Sequence, residues 1–337
     1  MILKSRVFGL ALLLAIAAMT PGVLKAQDAQ PMTEVPLGSG GSTGGKTAGG
    51  NLAGGVQTID GTAGDPTTAS TTGPEAVCFD GTYVWIARQF SDSVTRVRAS
   101  DGLVSGTFTV GKRPVALLCA GGYVYSANLL SDNVTKLSAS TGAVAGTYAA
   151  GDGPGGIASD GTNLWITNRD GNTVTKMSTG GTKLGTFAVG NRPIGVTVAG
   201  GNVFVVNNFS NSVSRLTLAG ALVATYPVGK GPFGITNQGE NLWITNYFGK
   251  SVTKLRASDG FNLGTFAVGD GAAGIAFDGT FVWVVNNGDS TLMKLTPDGA
   301  IVTTFATGKG PFAIALGGAK VWVSNYASNS ISTTAAN

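Results

Sequence analysis

The side chains with the clearest capacity for chemistry are basic and aromatic residues that recur near the turns of a repeated unit. The basic members are Arg113, Arg192 and Lys230, and the aromatic members are Phe233, Tyr247, Phe312 and Tyr326. Positive charge interleaved with aromatic rings favours binding of an anionic ligand or of an extended segment of a partner protein. Solvated turns that carry aromatic residues by chance are the alternative interpretation.

Two further residues stand out because they depart from the series to which they belong. Glu75 occupies a slot in which the other units carry Val, Gly, Ile, Phe or Ala. Arg88 occupies a slot in which the other six units carry Asn, a residue that suits a turn because it tolerates a left-handed backbone. We therefore include Glu75 and Arg88 among the candidate ligand-binding residues.

The composition excludes several classes of function. The 337 residues include 22 Lys and Arg, 18 Asp and Glu, and no His. The lack of His removes the commonest general base and the commonest zinc ligand. No paired carboxylates or clustered metal ligands stand out, so we predict no catalytic residue, no metal site and no cofactor. No run of Lys or Arg indicates a surface that binds nucleic acid.

The candidate residues must be positioned by a unit of about 40 residues that repeats from Gly73 onward. Its marker is a proline, found at Pro74, Pro114, Pro154, Pro193, Pro232 and Pro311, with Ala272 in the remaining place. One unit, 271–309, holds four apolar or β-branched runs separated by Gly, Asp, Asn and Pro, which indicates four strands. A fixed period of this length is typical of stacked supersecondary units.

We predict an all-β fold, a seven-bladed β-propeller of four-stranded antiparallel blades. The second run of each unit is apolar at successive positions, which implies burial on both faces, and radial repetition of such small sheets produces a propeller. An open solenoid is the alternative. The seventh unit stops after its third strand, so we expect an N-terminal strand from 55–72 to close the last blade. Its two candidate segments are Thr67–Ser70 and Gly55–Ile59.

The N-terminal region has the order of a secretory signal. Lys4 and Arg6 precede an uncharged, mostly apolar run, and Pro21 and the small residue Ala26 follow. We predict a signal peptide at 1–26, a flexible Gly/Ser/Thr-rich linker at 27–65 and the propeller at 66–337. Removal of 1–26 lowers the formal net charge from +4 to +1, because that segment holds three basic residues and no acidic one. The expected location is secreted or periplasmic, with cell-surface association left open and no membrane span after removal of the signal.

The two cysteines allow a covalent link between blades. Cys78 and Cys119 lie on the first strands of neighbouring units with opposite side-chain parity. Facing sides of adjacent blades require that parity, so a disulfide is allowed in an oxidising compartment. Two buried free thiols, or thiols that point apart, are the alternatives.

The repeat motifs resemble those of known exported propellers. Trp165–Asn168, Trp243–Asn246 and Trp322–Asn325 resemble the YVTN repeat, and the phrase at 231–235 followed by 242–245 is similar to NHL-type repeats and to streptogramin (virginiamycin B) lyases. The lyase resemblance implies a catalytic His in the third slot of the Gly-Pro phrase and Glu ligands for a magnesium ion. That slot here holds Glu75, Val115, Gly155, Ile194, Phe233, Ala273 and Phe312.

The sequence therefore favours an exported, non-catalytic β-propeller that acts as a binding or protein-interaction module, in the periplasm or outside the cell. A streptogramin-lyase-like enzyme and a structural cell-surface protein are the two alternatives. The loops from fourth to first strand and from second to third strand open on one face of a propeller, around its central channel. We place the candidate residues on this channel face.

Overall fold

The computed structural model describes residues 29–37 and 73–336, and its regular elements within those ranges are 29 β-strands, without a helix. No helix of this part of the chain is long and apolar enough to cross a membrane. The strands form seven sheets that correspond to the seven sequence units. The predicted seven-bladed propeller is therefore confirmed.

The first part of the chain supplies two short strands and three blades. The short strands are β1 (Gln30–Pro31) and β2 (Thr33–Pro36). Blade 1 contains β3 (Pro74–Phe79), β4 (Tyr83–Arg88), β5 (Ser93–Arg98) and β6 (Val104–Thr109). Blade 2 contains β7 (Pro114–Ala120), β8 (Tyr123–Asn128), β9 (Asn133–Ser138) and β10 (Val144–Ala149). Blade 3 contains β11 (Pro154–Ser159), β12 (Asn163–Asn168), β13 (Thr173–Ser178) and β14 (Lys183–Ala188).

Four more blades follow in the same order. Blade 4 contains β15 (Pro193–Ala199), β16 (Asn202–Asn207), β17 (Ser212–Thr217) and β18 (Leu222–Pro227). Blade 5 contains β19 (Pro232–Gln238), β20 (Asn241–Asn246), β21 (Ser251–Arg256) and β22 (Asn262–Ala267). Blade 6 contains β23 (Ala272–Phe277), β24 (Val282–Asn286), β25 (Thr291–Leu295) and β26 (Ile301–Ala306). Blade 7 contains β27 (Pro311–Gly317), β28 (Lys320–Asn325) and β29 (Ser330–Ala335).

The core lies between the blades. Each of the seven hydrophobic clusters joins one buried aromatic ring on the second strand of a blade to apolar residues of the next blade. These rings belong to Trp85, Tyr125, Trp165, Phe204, Trp243, Trp283 and Trp322. A second strand that packs against a neighbouring blade on each side needs apolar residues at successive positions, which is the pattern in the sequence.

An N-terminal strand closes the ring, but it is not the strand predicted from 55–72. Strand β2 pairs antiparallel with β29 and takes the fourth position of blade 7, while β1 adds to the outer edge of blade 6 as a fifth, parallel strand. Residues 38–72, which hold both candidate segments, lie outside the described residues. The predicted position was wrong because it assumed that the closing strand directly precedes Pro74, whereas a strand that pairs across the ring needs no fixed spacing along the chain.

Apolar side chains explain why β2 pairs with β29 and completes blade 7. Val35 stands opposite Ile331 in the pairing with β29, and the adjoining Leu37 is almost fully buried in the cluster between blades 7 and 1. The Leu37 amide donates a hydrogen bond to the Asn329 carbonyl (3.0 Å), and Asn329 Nδ2 donates to the Leu37 carbonyl (2.8 Å). Part of the region 27–65, predicted to be a flexible linker, is thus ordered strand.

Candidate functional site

A cavity of about 370 Å³ occupies the centre of the propeller. Its walls are the first strands of the blades, which contribute mostly small and aliphatic residues such as Val77, Ile157 and Ile235. Its charged members are Glu75, Arg169 and Arg192. We call this space the channel cavity. Its volume is in the range of small-molecule sites, about 300–1,000 Å³.

A β-bulge in each blade places one variable residue at the channel. The pairing of the first and second strands shifts register directly after the proline slot, so that Glu75 has no ladder partner between Pro74 and Ala76. The same shift recurs in the other six blades. A β-bulge changes the direction in which the neighbouring side chains point. Six of the seven third-slot residues line the channel cavity as a result: Glu75, Val115, Gly155, Ile194, Phe233 and Phe312.

The carboxylate of Glu75 lies in this largely apolar setting. Its Oε2 atom is shielded from solvent and makes no hydrogen bond to any described residue. Burial raises the pKa of Glu75 from its ordinary value of 4.5 to about 7, against the opposing effect of Arg113 and Arg169. Burial and then the charge of Glu75 also raise the pKa of Tyr326. A carboxyl group with a pKa near neutrality can hold or release a proton at physiological pH.

Arg192 lies between two cavities. It lines both the channel cavity and a second one, and its Nε atom is buried without a hydrogen-bond partner among the described residues. The guanidinium carbon stands 4.5 Å from the ring centre of Phe209. Burial, followed by repulsion from Arg169, lowers the pKa of Arg192 against the opposing effect of Asp170, although a guanidinium stays protonated throughout the physiological range.

The second cavity, about 180 Å³ in volume, is enclosed mainly by aromatic rings. We call it the aromatic pocket; it is lined by Arg192, Ile194, Asn208, Phe209, Phe233, Tyr247, Phe248 and Phe312. Its rings continue around the channel face through contacts of 5.1–6.5 Å between ring centres, in the order Phe248, Tyr247, Phe233, Phe312, Tyr326 and Phe90. Phe209 and Phe248 come from adjacent blades and are 62% and 67% exposed.

The structure brings most of the candidate residues together. Five of the nine line one or both cavities: Glu75, Arg192, Phe233, Tyr247 and Phe312. Arg113 and Tyr326 lie next to them, since Arg113 acts electrostatically on Glu75 and Tyr326 packs against Phe312. Arg113 also donates from Nε to Gln89 Oε1 (3.0 Å).

The remaining two candidate residues, Lys230 and Arg88, also line neither cavity. Lys230 is exposed on its turn. Arg88 is buried within blade 1, where its Nη1 donates to Thr95 Oγ1 (3.4 Å) in the place where the Asn residues of other blades bond Ser or Thr. Burial lowers the pKa of Arg88.

The sequence analysis missed Arg169 and Asn208. Each directly follows the Asn that recurs at the end of the second strand. Each therefore occupies the turn position that the candidates Tyr247 and Tyr326 occupy in their own blades. That shared position was the available signal. Arg169 lines the channel cavity, and Asn208 lines the aromatic pocket while its Nδ2 donates to the Pro232 carbonyl (2.9 Å).

A disulfide joins the two strands at the side of the cavity nearest Glu75 and Val115. Cys78 on β3 and Cys119 on β7 are bonded, with 5.8 Å between their Cα atoms. It ties blade 1 to blade 2, so the strand that carries Glu75 is held covalently to its neighbour. Within residues 29–37 and 73–336, no group of three or more His, Cys, Asp or Glu residues could hold a metal ion.

Comparison with known proteins gives similarity of fold. The chain matches no protein-family model and no curated protein sequence. Among solved structures, hydrazine synthase of Kuenenia stuttgartiensis aligns with a TM-score of 0.72 and 20% identity, over 83% of this chain and 99% of that one.

Two lyases align in the same way. A streptogramin B lyase gives a TM-score of 0.69 and 21% identity over 78% of this chain and 93% of that one. A catalytically inactive virginiamycin B lyase of Staphylococcus aureus with quinupristin gives a TM-score of 0.70 and 19% identity, over 79% of this chain and 96% of that one. At these identities the likeness concerns the backbone alone. The chain thus shares the propeller fold of these structures.

Proposed function

We propose that this chain is an exported, non-catalytic binding module that holds an anionic ligand with an apolar body at its channel face, in the periplasm or outside the cell. The observation that carries the proposal is Arg192, whose buried Nε has no partner among the described residues although it lines a cavity. A buried polar group without a partner is costly, and a bound anion would satisfy it.

The surrounding charges support an anion. Arg113 and Arg169 act electrostatically on Glu75, which is half protonated near neutral pH because its pKa is about 7. Asp170 pairs with Arg169 (3.2 Å) and also acts on Arg192. Three permanent positive charges therefore meet one paired carboxylate and one half-protonated carboxylate, and the net charge of these five groups is positive. A low-dielectric cavity strengthens the attraction of such a site for an anion.

The walls support an apolar body. Most residues that line the channel cavity are aliphatic or glycine, so a ligand buries apolar surface there while its charged group lies at Arg192. Release of water from that surface contributes favourably, at about 25 cal/mol per Å² of apolar area. An extended segment of a partner protein that carries an acidic group would meet the same chemistry.

Calorimetric titration of the chain from Gln27 onward with octanoate tests this proposal. Octanoate carries one carboxylate on an apolar chain, and octanamide is its neutral counterpart. We expect octanoate to bind, octanamide to bind at least tenfold more weakly, and the variant Arg192→Gln to weaken octanoate binding by at least about tenfold. Equal affinity for the two probes, or binding unchanged in Arg192→Gln, would overturn the proposal.

A streptogramin-lyase-like enzyme is the second candidate, and Glu75 is the observation that favours it. It occupies the slot in which the resemblance implies a catalytic His, and its raised pKa suits a residue that takes and returns a proton. Incubation with quinupristin, with and without Mg²⁺, followed by mass spectrometry tests this candidate. Turnover that is abolished in Glu75→Gln supports it, whereas unmodified quinupristin after prolonged incubation excludes this substrate.

A further inference from the structure

We propose that the aromatic pocket binds a planar aromatic ring whose attached carboxylate lies against Arg192, so that the ligand class is an aryl or indolyl carboxylate. This inference rests on the proposed function, because it names the ligand of the same channel face. It adds a second requirement, an aromatic ring, that the anion site alone does not impose.

The size of the pocket fits one substituted ring or two fused rings. Its volume is about 180 Å³. An apolar cavity of about 150 Å³ in another protein holds one benzene molecule. A ring system of this size would fill the aromatic pocket and place its substituent beside Arg192, on the side where Arg192, Ile194, Phe233 and Phe312 line both cavities.

The walls favour an aromatic ring over an aliphatic one. The ring pairs Phe233–Phe312 and Tyr247–Phe248 meet at interplanar angles of 80° and 82°, so the pocket presents both ring edges and ring faces. Aromatic rings carry a negative face and a positive edge, and a ligand ring can complement both. We expect this complementarity to strengthen binding about fivefold over a saturated ring of similar size.

The charge of the pocket determines which substituent the ring carries. Arg192 is the single ionisable group with a full charge among the residues that line it. Its guanidinium carbon lies 4.5 Å from the ring centre of Phe209, and the fork of a guanidinium matches the two oxygens of a carboxylate. A cationic ring substituent would meet repulsion from the same group.

The outer rings of the pocket, Phe209 and Phe248, expose apolar surface that a ligand could cover. They occupy one turn position of the repeat, which holds Phe90 and Leu130 in blades 1 and 2 and Asp170, Gly288 and Ala327 in blades 3, 6 and 7. Large rings are therefore not required there by the turn. A ligand ring placed between them would bury apolar surface that is otherwise in contact with water.

The test is calorimetric titration of the chain from Gln27 onward with three probes: indole-3-acetate, cyclohexylacetate and indole-3-acetamide. We expect indole-3-acetate to bind about fivefold more tightly than cyclohexylacetate and at least tenfold more tightly than the neutral amide. Phe209→Leu and Phe248→Leu should each weaken indole-3-acetate about fivefold and leave cyclohexylacetate nearly unchanged. Both side chains are exposed, so these variants should fold.

Phe90→Leu is the matched control, because Phe90 occupies the same turn position in blade 1, is 57% exposed and does not line the pocket. The affinity of the Phe90→Leu variant for indole-3-acetate should equal that of the wild type. Equal affinity for the saturated and aromatic carboxylates would overturn this inference while the octanoate result still supports the anion site. Equal affinity for indole-3-acetate and indole-3-acetamide would also overturn this inference, because it would show that the carboxylate is not recognised. If octanoate failed to bind as well, the proposed function would be overturned with it.

Discussion

Arg113 and Arg192 occupy the same slot of the repeat, two blades apart, and both adopt a left-handed backbone with φ of 56° and 52°. The other five blades hold glycine there, with φ between 55° and 68°. A side chain in this conformation costs roughly 1–2 kcal/mol relative to the usual regions. Two arginines thus stand at the channel face at positions where the backbone favours glycine.

Replacement of Arg192 by glycine should raise the stability of the fold and weaken ligand binding. Arg192→Gly relieves the left-handed strain, so we expect the free energy of unfolding to rise by about 0.5–1 kcal/mol, after allowance for the greater freedom of glycine in the unfolded chain. Octanoate binding should fall at least tenfold. Urea denaturation and calorimetry measure the two effects.

Gly271→Ala is the opposite change in the same slot, where φ is 68° and an added Cβ would lie 2.9 Å from the Gly288 amide nitrogen. We expect it to lower the free energy of unfolding by at least about 1 kcal/mol. A loss of stability in Arg192→Gly would show that the arginine stabilises the fold and that the strain argument is wrong.

Glu75 should make stability depend on pH. Its pKa is about 7 in the folded protein against 4.5 as the ordinary value, so the folded state binds more protons than the unfolded state between these two values. The contribution of Glu75 therefore decreases the free energy of unfolding as pH rises from about 4.5 to 7, by about 2–3 kcal/mol in total. Urea denaturation at pH 5 and pH 8 measures it.

The variant Glu75→Gln removes this titration and isolates it from the other ionisable groups. We expect the difference in stability between pH 5 and pH 8 to shrink by about 2–3 kcal/mol in the variant. The variant should also be more stable than the wild type at pH 8, where it buries no charge. An identical pH dependence in the two proteins would contradict the buried setting of Glu75.

Leu37 should be essential for closure of the ring. It is buried between blades 7 and 1, so Leu37→Ala should lower the free energy of unfolding by about 2–5 kcal/mol. Leu222→Ala removes the same atoms from an outer strand, where the side chain is 54% exposed, and should cost less than about 0.5 kcal/mol. Thermal or urea denaturation that gave equal losses for both variants would argue against closure by the segment at 33–37.

The disulfide should stabilise the fold by restricting the unfolded chain. Cys78 and Cys119 are 41 residues apart in sequence, and the double change to alanine should lower the free energy of unfolding by about 2–4 kcal/mol. Reduction of the wild-type protein should lower it by a similar amount. Unfolding transitions that coincide with and without reductant would show that the bond is not formed in the protein.

The fold was predictable because its signals are local and repeated. The proline slot, the aromatic second strands and the turn residues recur in each unit, so a strand and its neighbours are encoded within about 40 residues. The third slot was also recognisable as variable, and it does line the channel cavity at Glu75, Phe233 and Phe312. Lys230 lines neither cavity whereas Arg169, which was not a predicted candidate, lines the channel cavity, because residue type alone does not give the direction of a side chain.

The sequence by itself determined that this chain forms seven blades, since short-range periodicity dictates the repeat. Only the tertiary structure decided that β2 pairs with β29 across almost 300 residues, because pairing of distant strands depends on the apolar contacts of Val35 and Leu37 and not on spacing. It also decided that Glu75 Oε2 and Arg192 Nε are buried without a hydrogen-bond partner among the described residues and that both residues line one cavity, because burial and distance arise only when the blades close around the channel.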